Sequence, residues 1–339
     1  RVVAHPWAVM VVIVALLALM ATPVGSLRVR SNFTEYMPAN SSVRTGYDIV
    51  QDDYPALATP TISIVAQTDT TGAAGLVSDI RAMDDVTHVT AAPLPGHEDM
   101  TLISVLMDVD DPVGQQAVDA VDRIRAMTAD HPFWVGGAAA QQTDFIDSIE
   151  QGAPWAALII VVAVLVLLFC MTGSLVVPLK ALVINGFSLV ASLGATAWLF
   201  EGGHLGLPRT PGLQTFIVAC LAAFGFGLAM DYEVFLLARI SEYWRAGYDN
   251  DEAVARGLQR SGRIITSAAA IIIAVFLGFV SGEMISIKEL GVGLTIMVAA
   301  DATLVRLLLV PATMTVLGQW NWWAPKPLAG LYDHFRQEN

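Results

Sequence analysis

Asp231 is the residue whose setting most calls for chemistry. It stands in Gly225-Phe-Gly-Leu-Ala-Met-Asp-Tyr-Glu-Val-Phe-Leu-Leu237, inside an otherwise apolar run. An ionised carboxylate at the centre of a bilayer costs at least about 2.5 kcal/mol, so such a group must be paired, protonated or turned to a polar cavity. That placement suits a side chain that binds and releases one proton per cycle. Tyr232, next on the helix, can hydrogen-bond a carboxylate on a neighbouring span. The plainer alternative is that Asp231 is glue between helices, with no proton traffic.

Asp301 and Arg306 form a second candidate set, in Ala300-Asp-Ala-Thr-Leu-Val-Arg306. Five residues apart, they sit about 140° apart on an α-helix and do not share a face. Each is expected to reach a different neighbour, with Asp301 able to join Asp231 in a polar cluster. Arg306 would then hold one carboxylate ionised while the other titrates, or snorkel inward. A structural ion pair is the alternative. Glu233, about 200° from Asp231, is expected at the interface.

These residues need a membrane to give them meaning, and composition supplies it. The chain has 339 residues, is 55% hydrophobic and 14% charged, and its mean hydropathy is +0.59. Soluble domains carry about 25% charged residues. Six apolar runs are long enough to cross about 30 Å of hydrocarbon: roughly Trp7 to Val24, Trp155 to Met171, Ala181 to Phe200, Leu213 to Ala238, Ile264 to Val280 and Leu290 to Leu317. The predicted fold is therefore an α-helical polytopic membrane protein of one plus five spans. The expected boundaries are residues 1–25, an inserted domain at 26–152, a bundle at 153–318 and a tail at 319–339. The first run lacks an Ala-x-Ala cleavage site and is read as a retained span.

Orientation follows from basic residues in short loops. Arg239, Arg245, Arg256, Arg260 and Arg263 lie between the fourth and fifth spans, Lys180 precedes the third, and Lys326 and Arg336 follow the last. Six crossings put all of these on one side, expected to be cytoplasmic, and the insert on the extracytoplasmic side. Residues 250–262 read as a separate amphipathic helix on the inner leaflet. Trp320, Trp322 and Trp323 read as an interfacial anchor.

The net charge of −13 belongs wholly to the insert. Residues 26–152 hold 19 Asp and Glu against 6 Lys and Arg, while the remainder holds 12 of each sign. An acidic surface argues against nucleic acid or anionic headgroups as its partner. Within it, Thr61 to Gln67, a helix near Ala73 to Met83 and Val86 to Ala91 form one strand–helix–strand unit. Thr101 to Asp108, a helix from Val113 to Met127 and Phe133 to Val135 form another. Two such units predict a ferredoxin-like α+β sandwich, with the helix after Gly137 running on into the second span.

Several signals are weak. Asp108, Asp110 and Asp111 lack EF-hand spacing, and Asn32-Phe-Thr34 and Asn40-Ser-Ser42 are short glycosylation-type matches. Cys170 and Cys220 lie in apolar runs and suggest no disulfide framework or metal site. The absence of a P-loop, a dinucleotide fingerprint or a nucleophile elbow argues against ATP hydrolysis and enzyme chemistry by this chain. No cofactor is expected.

Gly-Leu-Ala-Met-Asp231-Tyr232-Glu-Val-Phe-Leu-Leu resembles the fourth-span signature of the MMPL family. Ser261-Gly-Arg-Ile-Ile-Thr-Ser267, Asp301-Ala-Thr-Leu-Val-Arg306 through Val310-Pro311-Ala312, and Trp320-Asn-Trp-Trp-Ala-Pro325 resemble its following segments. Met37-Pro38-Ala39-Asn40 resembles the stretch after the first span of a half. The resemblance implies a resistance-nodulation-division fold of twelve spans in two halves, with a porter-type domain, that exports lipids by proton antiport. It also implies Asp231 and Tyr232 as a proton relay, with Asp301 and Arg306 linked to it. Only one such Asp-Tyr pair lies within the apolar spans, so a complementary N-terminal half, in the same longer chain or as a second subunit, is the expected partner beside lipid substrate and membrane lipids. The start at Arg1 favours a missing half over a homodimer. The competing readings are a sterol-sensing-type scaffold, which needs no titrating group, and a small-drug efflux pump.

Overall fold

The computed structural model describes residues 4–30, 36–38, 40–54, 60–109, 111–328 and 332. Asn32-Phe-Thr34, Ala39, Asp110 and Arg336 lie outside the described residues. In chain order, α1 (Pro6–Ala21) and the short β1 (Val29–Arg30) precede α2 (Ser42–Asp53), β2 (Ile62–Ala66) and α3 (Ala74–Arg81). Next come β3 (Val86–Leu94), β4 (His97–Met107), α4 (Gln115–Arg125) and β5 (Phe133–Gly136). The remainder is α5 (Ala138–Thr172), α6 (Val176–Gly202), β6 (Leu213–Gln214), α7 (Thr215–Arg245), α8 (Asn250–Val280) and α9 (Ile285–Ala300), then a π-helical Asp301–Leu309 and α10 (Val310–Leu317). The chain divides into two compact units, Arg30–Pro154 on one side and Arg1–Val29 with Trp155–Asn339 on the other.

The insert is the ferredoxin-like sandwich that its two strand–helix–strand units predict. Its sheet order is β3-β4-β2-β5 and every pairing is antiparallel. Ile62 faces Val105 and Ile64 faces Ile103 across β2 and β4. Period-2 alternation therefore puts all four on one side of the sheet. Leu76, Val77 and Ile80 of α3 and Ala117, Ala120, Val121 and Ile124 of α4 cover that side and form one core with it. Each fully buried aliphatic side chain contributes about 1.5–3 kcal/mol. Gly137, at φ +96, is obligatory, because a Cβ there would strike the backbone of Thr61, Ile62 and Ser63. Helix α2 was not foreseen; its local signal is Ser41, whose hydroxyl accepts from the Arg44 N–H as an N-cap.

Among the described residues, six helical rods are long and apolar enough to cross a membrane: Pro6–Ser26, Ala138–Thr172, Val176–Gly202, Thr215–Arg245, Asn250–Val280 and Ile285–Trp322. The helix after Gly137 is indeed continuous with the second span. Residues 250–262 are not a separate surface helix. They are the first part of α8, whose Ala253, Val254, Gly257, Ser261, Ile265 and Ala269 fall on one buried face. Small residues make that face close-fitting, and a Cβ at Gly257 would strike Ile240 of α7. The Trp anchor also needs correction. Trp320 and Trp323 are exposed, but Trp322 stacks on Trp244 with ring centroids 5.1 Å apart.

Candidate functional site

The site is built where α7 meets the last rod. Gly225 lets α9 approach so closely that any Cβ there would overlap the Met297 sulfur, and a Cβ at Gly293 would strike Leu221. Glycine at both crossings brings α7 against α9, just upstream of the π-helical segment. That segment has its own cause in Pro311, which has no N–H to donate and whose ring opposes the carbonyl four residues back. The helix widens to the i→i+5 pattern just upstream.

Widening changes which side chains meet. Asp301 and Arg306, about 140° apart on an α-helix, come together in the π register. Arg306 Nε donates to Asp301 Oδ2 at 2.6 Å and Nη2 approaches the same oxygen at 2.5 Å. The expectation that each reaches a different neighbour is thus overturned, because it assumed α-helical pitch. Arg306 also donates to the Ala229 carbonyl of α7, and its guanidinium lies 5.0 Å from the Tyr232 ring centroid, a cation–π contact. Arg306 is 1% exposed and Asp301 5%. Tyr232 and Asp301 share the wall of a cavity of about 10 Å³ with Gly225, Ala229 and Met297, near the space one water needs.

Asp231 is not in this cluster. It lies on the exposed side of α7, about 24 Å from one end of that helix and 21 Å from the other at 1.5 Å per residue. The buried carboxylate is Glu233, 2% exposed, which accepts a hydrogen bond from Asn185 Nδ2 of α6. Glu233 was expected at the interface; packing turns its face inward instead. Asn185, a polar group within an apolar span, is the partner that the sequence reading does not single out. Further along α6, Lys180 Nζ lies 3.4 Å from Asn321 Oδ1. Asn321 and Asn250 converge on the Met314 carbonyl and tie the ends of α8 and α10 together.

The site can therefore hold one compensated carboxylate–guanidinium pair beside a phenol and a second buried carboxyl. Asp301 Oδ1, Arg306 Nη1 and Glu233 Oε1 have no protein partner among the described residues. Nor do the described residues include a group of three His, Cys, Asp or Glu fit for a metal ion. The insert has a separate, open cleft of about 620 Å³ lined by Arg125, His131, Phe133, Trp134 and Asp144. There Asp144, 2.7 Å away, raises the Arg125 guanidinium above its ordinary value.

Comparison with known proteins bears on this geometry. The membrane protein SCO6666 of Streptomyces coelicolor is 38% identical over 335 residues, covering 97% of this chain and 46% of its own length. The mycolic acid-containing lipids exporter MmpL11 of Mycolicibacterium smegmatis is 31% identical, covering 95% and 36%. The trehalose monomycolate exporter MmpL3 of the same organism is 30% identical, covering 93% and 33%. The chain thus spans less than half the length of each of these relatives. The MMPL family model matches residues 48–330, and this multi-pass membrane chain belongs to the MMPL family.

Proposed function

We propose that this chain forms half of a proton-motive-force-driven transporter of the resistance-nodulation-division type, which exports lipids or lipid-like molecules across the cytoplasmic membrane. The observation that carries the reading is the Asp301–Arg306 pair, buried in an apolar bundle against the Tyr232 ring, in a family that includes relatives named as lipid exporters. A proton delivered to Asp301 neutralises the carboxylate and removes its attraction for Arg306. The cation then leans on the Ala229 carbonyl, the Tyr232 face and Glu233. Two packings of the last rod against α7 are thereby biased, and the cycle alternates between them.

Asp231 completes the relay from the other side. A carboxylate at mid-depth on the exposed face of α7 is costly against lipid, which fits a face covered by a complementary half. The orientation is the one the basic residues favour, with the insert extracytoplasmic and the C-terminal end cytoplasmic. The proton gradient is the energy source, and the reading assigns this chain no cofactor and no enzymatic step.

The test is transport by the full-length transporter in proteoliposomes, with and without an imposed pH gradient, for wild type and Asp231→Asn. Wild type is expected to move lipid only with the gradient, and a folded Asp231→Asn to lose transport by at least about a hundredfold. Gradient-driven transport surviving in Asp231→Asn would sink the relay.

A further inference from the structure

Glu289 is a buried carboxylate that the relay above does not use. It lies about one turn inside the first end of α9 and is 0% exposed. Its Oε2 accepts from the backbone N–H of Gln214, the residue that caps α7, at 3.2 Å. The Thr210 hydroxyl lies close to the carboxylate, and Oε1 has no hydrogen-bond partner of good geometry among the described residues. No Lys, Arg or His pairs with it among the described residues. Lys288 points about 100° away around the helix. The other charged or titratable groups at this end, Arg28, Glu201, His204, Arg209 and Glu283, are exposed or half-exposed. Burying a carboxylate with one backbone donor and no cation is expensive for a purely structural cap; an amide would do the same work without the charge.

The interior between Glu289 and the Asp301–Arg306 pair is polar on one side. Asn185, Ser188, Ser192 and Thr196 are all buried, at 3%, 4%, 0% and 0% exposure. They recur every three or four residues and fall within about 80° on one face of α6, the helix that packs against both α7 and α9. Asn185 already donates to Glu233 at the inner end of this strip. Ser192 and Thr196 donate to carbonyls four residues back, which leaves their lone pairs free to accept. Ser188 Oγ, and near Glu289 the Thr215 and Ser286 hydroxyls, have no protein partner among the described residues. Buried polar atoms of this kind are satisfied by internal water. Glu289 and Asp301 are twelve residues apart on one rod, about 18 Å, and the strip covers about 16 Å of that depth.

We propose that Glu289 is a second proton-carrying carboxyl, which loads at the end of the bundle that carries the α6–α7 and α8–α9 connections and passes its proton along the Thr196–Ser192–Ser188 strip to Asp301. The transfer is balanced. Glu289 takes a proton relayed from solvent by the Thr210 hydroxyl, which lines an open cavity of about 590 Å³, and gives it to a water on the strip. A proton leaves that water chain for Asp301 Oδ1, and Glu289 returns to its starting charge. This inference rests on the proton-driven reading above and adds a station to it.

The experiment compares Glu289→Gln, Glu289→Asp and Asp231→Asn in the full-length transporter, reading gradient-driven lipid transport, thermal unfolding and the infrared band of protonated carboxyls. Glu289→Gln keeps an acceptor for the Gln214 N–H. It is expected to fold like wild type, to lose one protonated-carboxyl band and to slow transport at least about tenfold. Glu289→Asp is expected to restore transport with a displaced pH profile. Wild-type transport in Glu289→Gln alongside an inactive Asp231→Asn overturns this inference alone, whereas wild-type transport in both removes the proton-driven reading itself. A Glu289→Gln that unfolds, with Glu289→Asp no more active than it, makes the residue a cap on α7 and also overturns the proposal.

Discussion

The two units of this chain are built inside out relative to each other. In the insert the interior is aliphatic, with Ile62, Ile64, Ile80, Ile103 and Ile124 fully buried, and several ion pairs, such as Arg44–Asp48 and Arg123–Asp85, sit at the surface. In the bundle the surface carries Trp155, Ile159, Val183 and Phe216, while Asp301, Arg306, Glu233, Glu289, Asn185 and Ser192 are inside. The same rule acts in both places: each group faces the phase that solvates it. In the insert that phase is water outside; in the bundle the polar phase is the protein's own interior. Chemistry that needs a protected charge therefore belongs to the bundle, and the insert offers a shape and a cleft.

The sharpest way to break this comparison is to orphan one buried charge. Arg306→Leu leaves Asp301 unpaired and is expected to cost about 3–5 kcal/mol, while the double replacement Asp301→Leu with Arg306→Leu recovers most of that. Thermal unfolding in lipid nanodiscs reads both; an unaffected single variant would mean the pair is not a buried unit. In the insert the equivalent blow is an apolar one. Ile103→Ala empties part of the sandwich core and should cost about 2–4 kcal/mol by denaturant unfolding. Gly225→Val tests the close crossing of α7 and α9. It forces a side chain onto Met297 and is expected to cost about 1–3 kcal/mol, with transport falling alongside. In this chain by itself, where Asp231 is exposed, Asp231→Asn should change stability to thermal unfolding by less than about 0.5 kcal/mol, even though transport by the full-length transporter is lost. Arg44→Ala removes a solvated i,i+4 pair and should be nearly silent, below about 0.5 kcal/mol.

Much of the scaffold is legible in the sequence. The apolar runs mark the six rods to within a few residues at most ends, because a span needs about 20 apolar residues whatever its neighbours are. The alternation in Ile62-Ser-Ile-Val-Ala66 and the 3.6-residue pattern of α4 announce the sandwich for the same local reason. Reading failed where a local rule stood in for a packing decision. Residues 250–262 are basic and amphipathic, and a surface helix explains that pattern as well as the start of a span does. Trp322 is one of three tryptophans near the end of a span, and only its stack on Trp244 separates it from the other two.

The candidate site divides in the same way. Sequence alone determined that Asp231, Tyr232, Asp301 and Arg306 are polar groups in apolar surroundings, and that the MMPL-like signature runs through them. It also determined that Asp231 and Glu233 face apart, since 200° of helix separates them. Tertiary structure alone decided which of the two is buried, because periodicity sets angles between residues and leaves the direction of the whole helix to its neighbours. It alone decided that Asp301 and Arg306 touch, because the pitch of the last rod changes ahead of Pro311 and five residues become one turn.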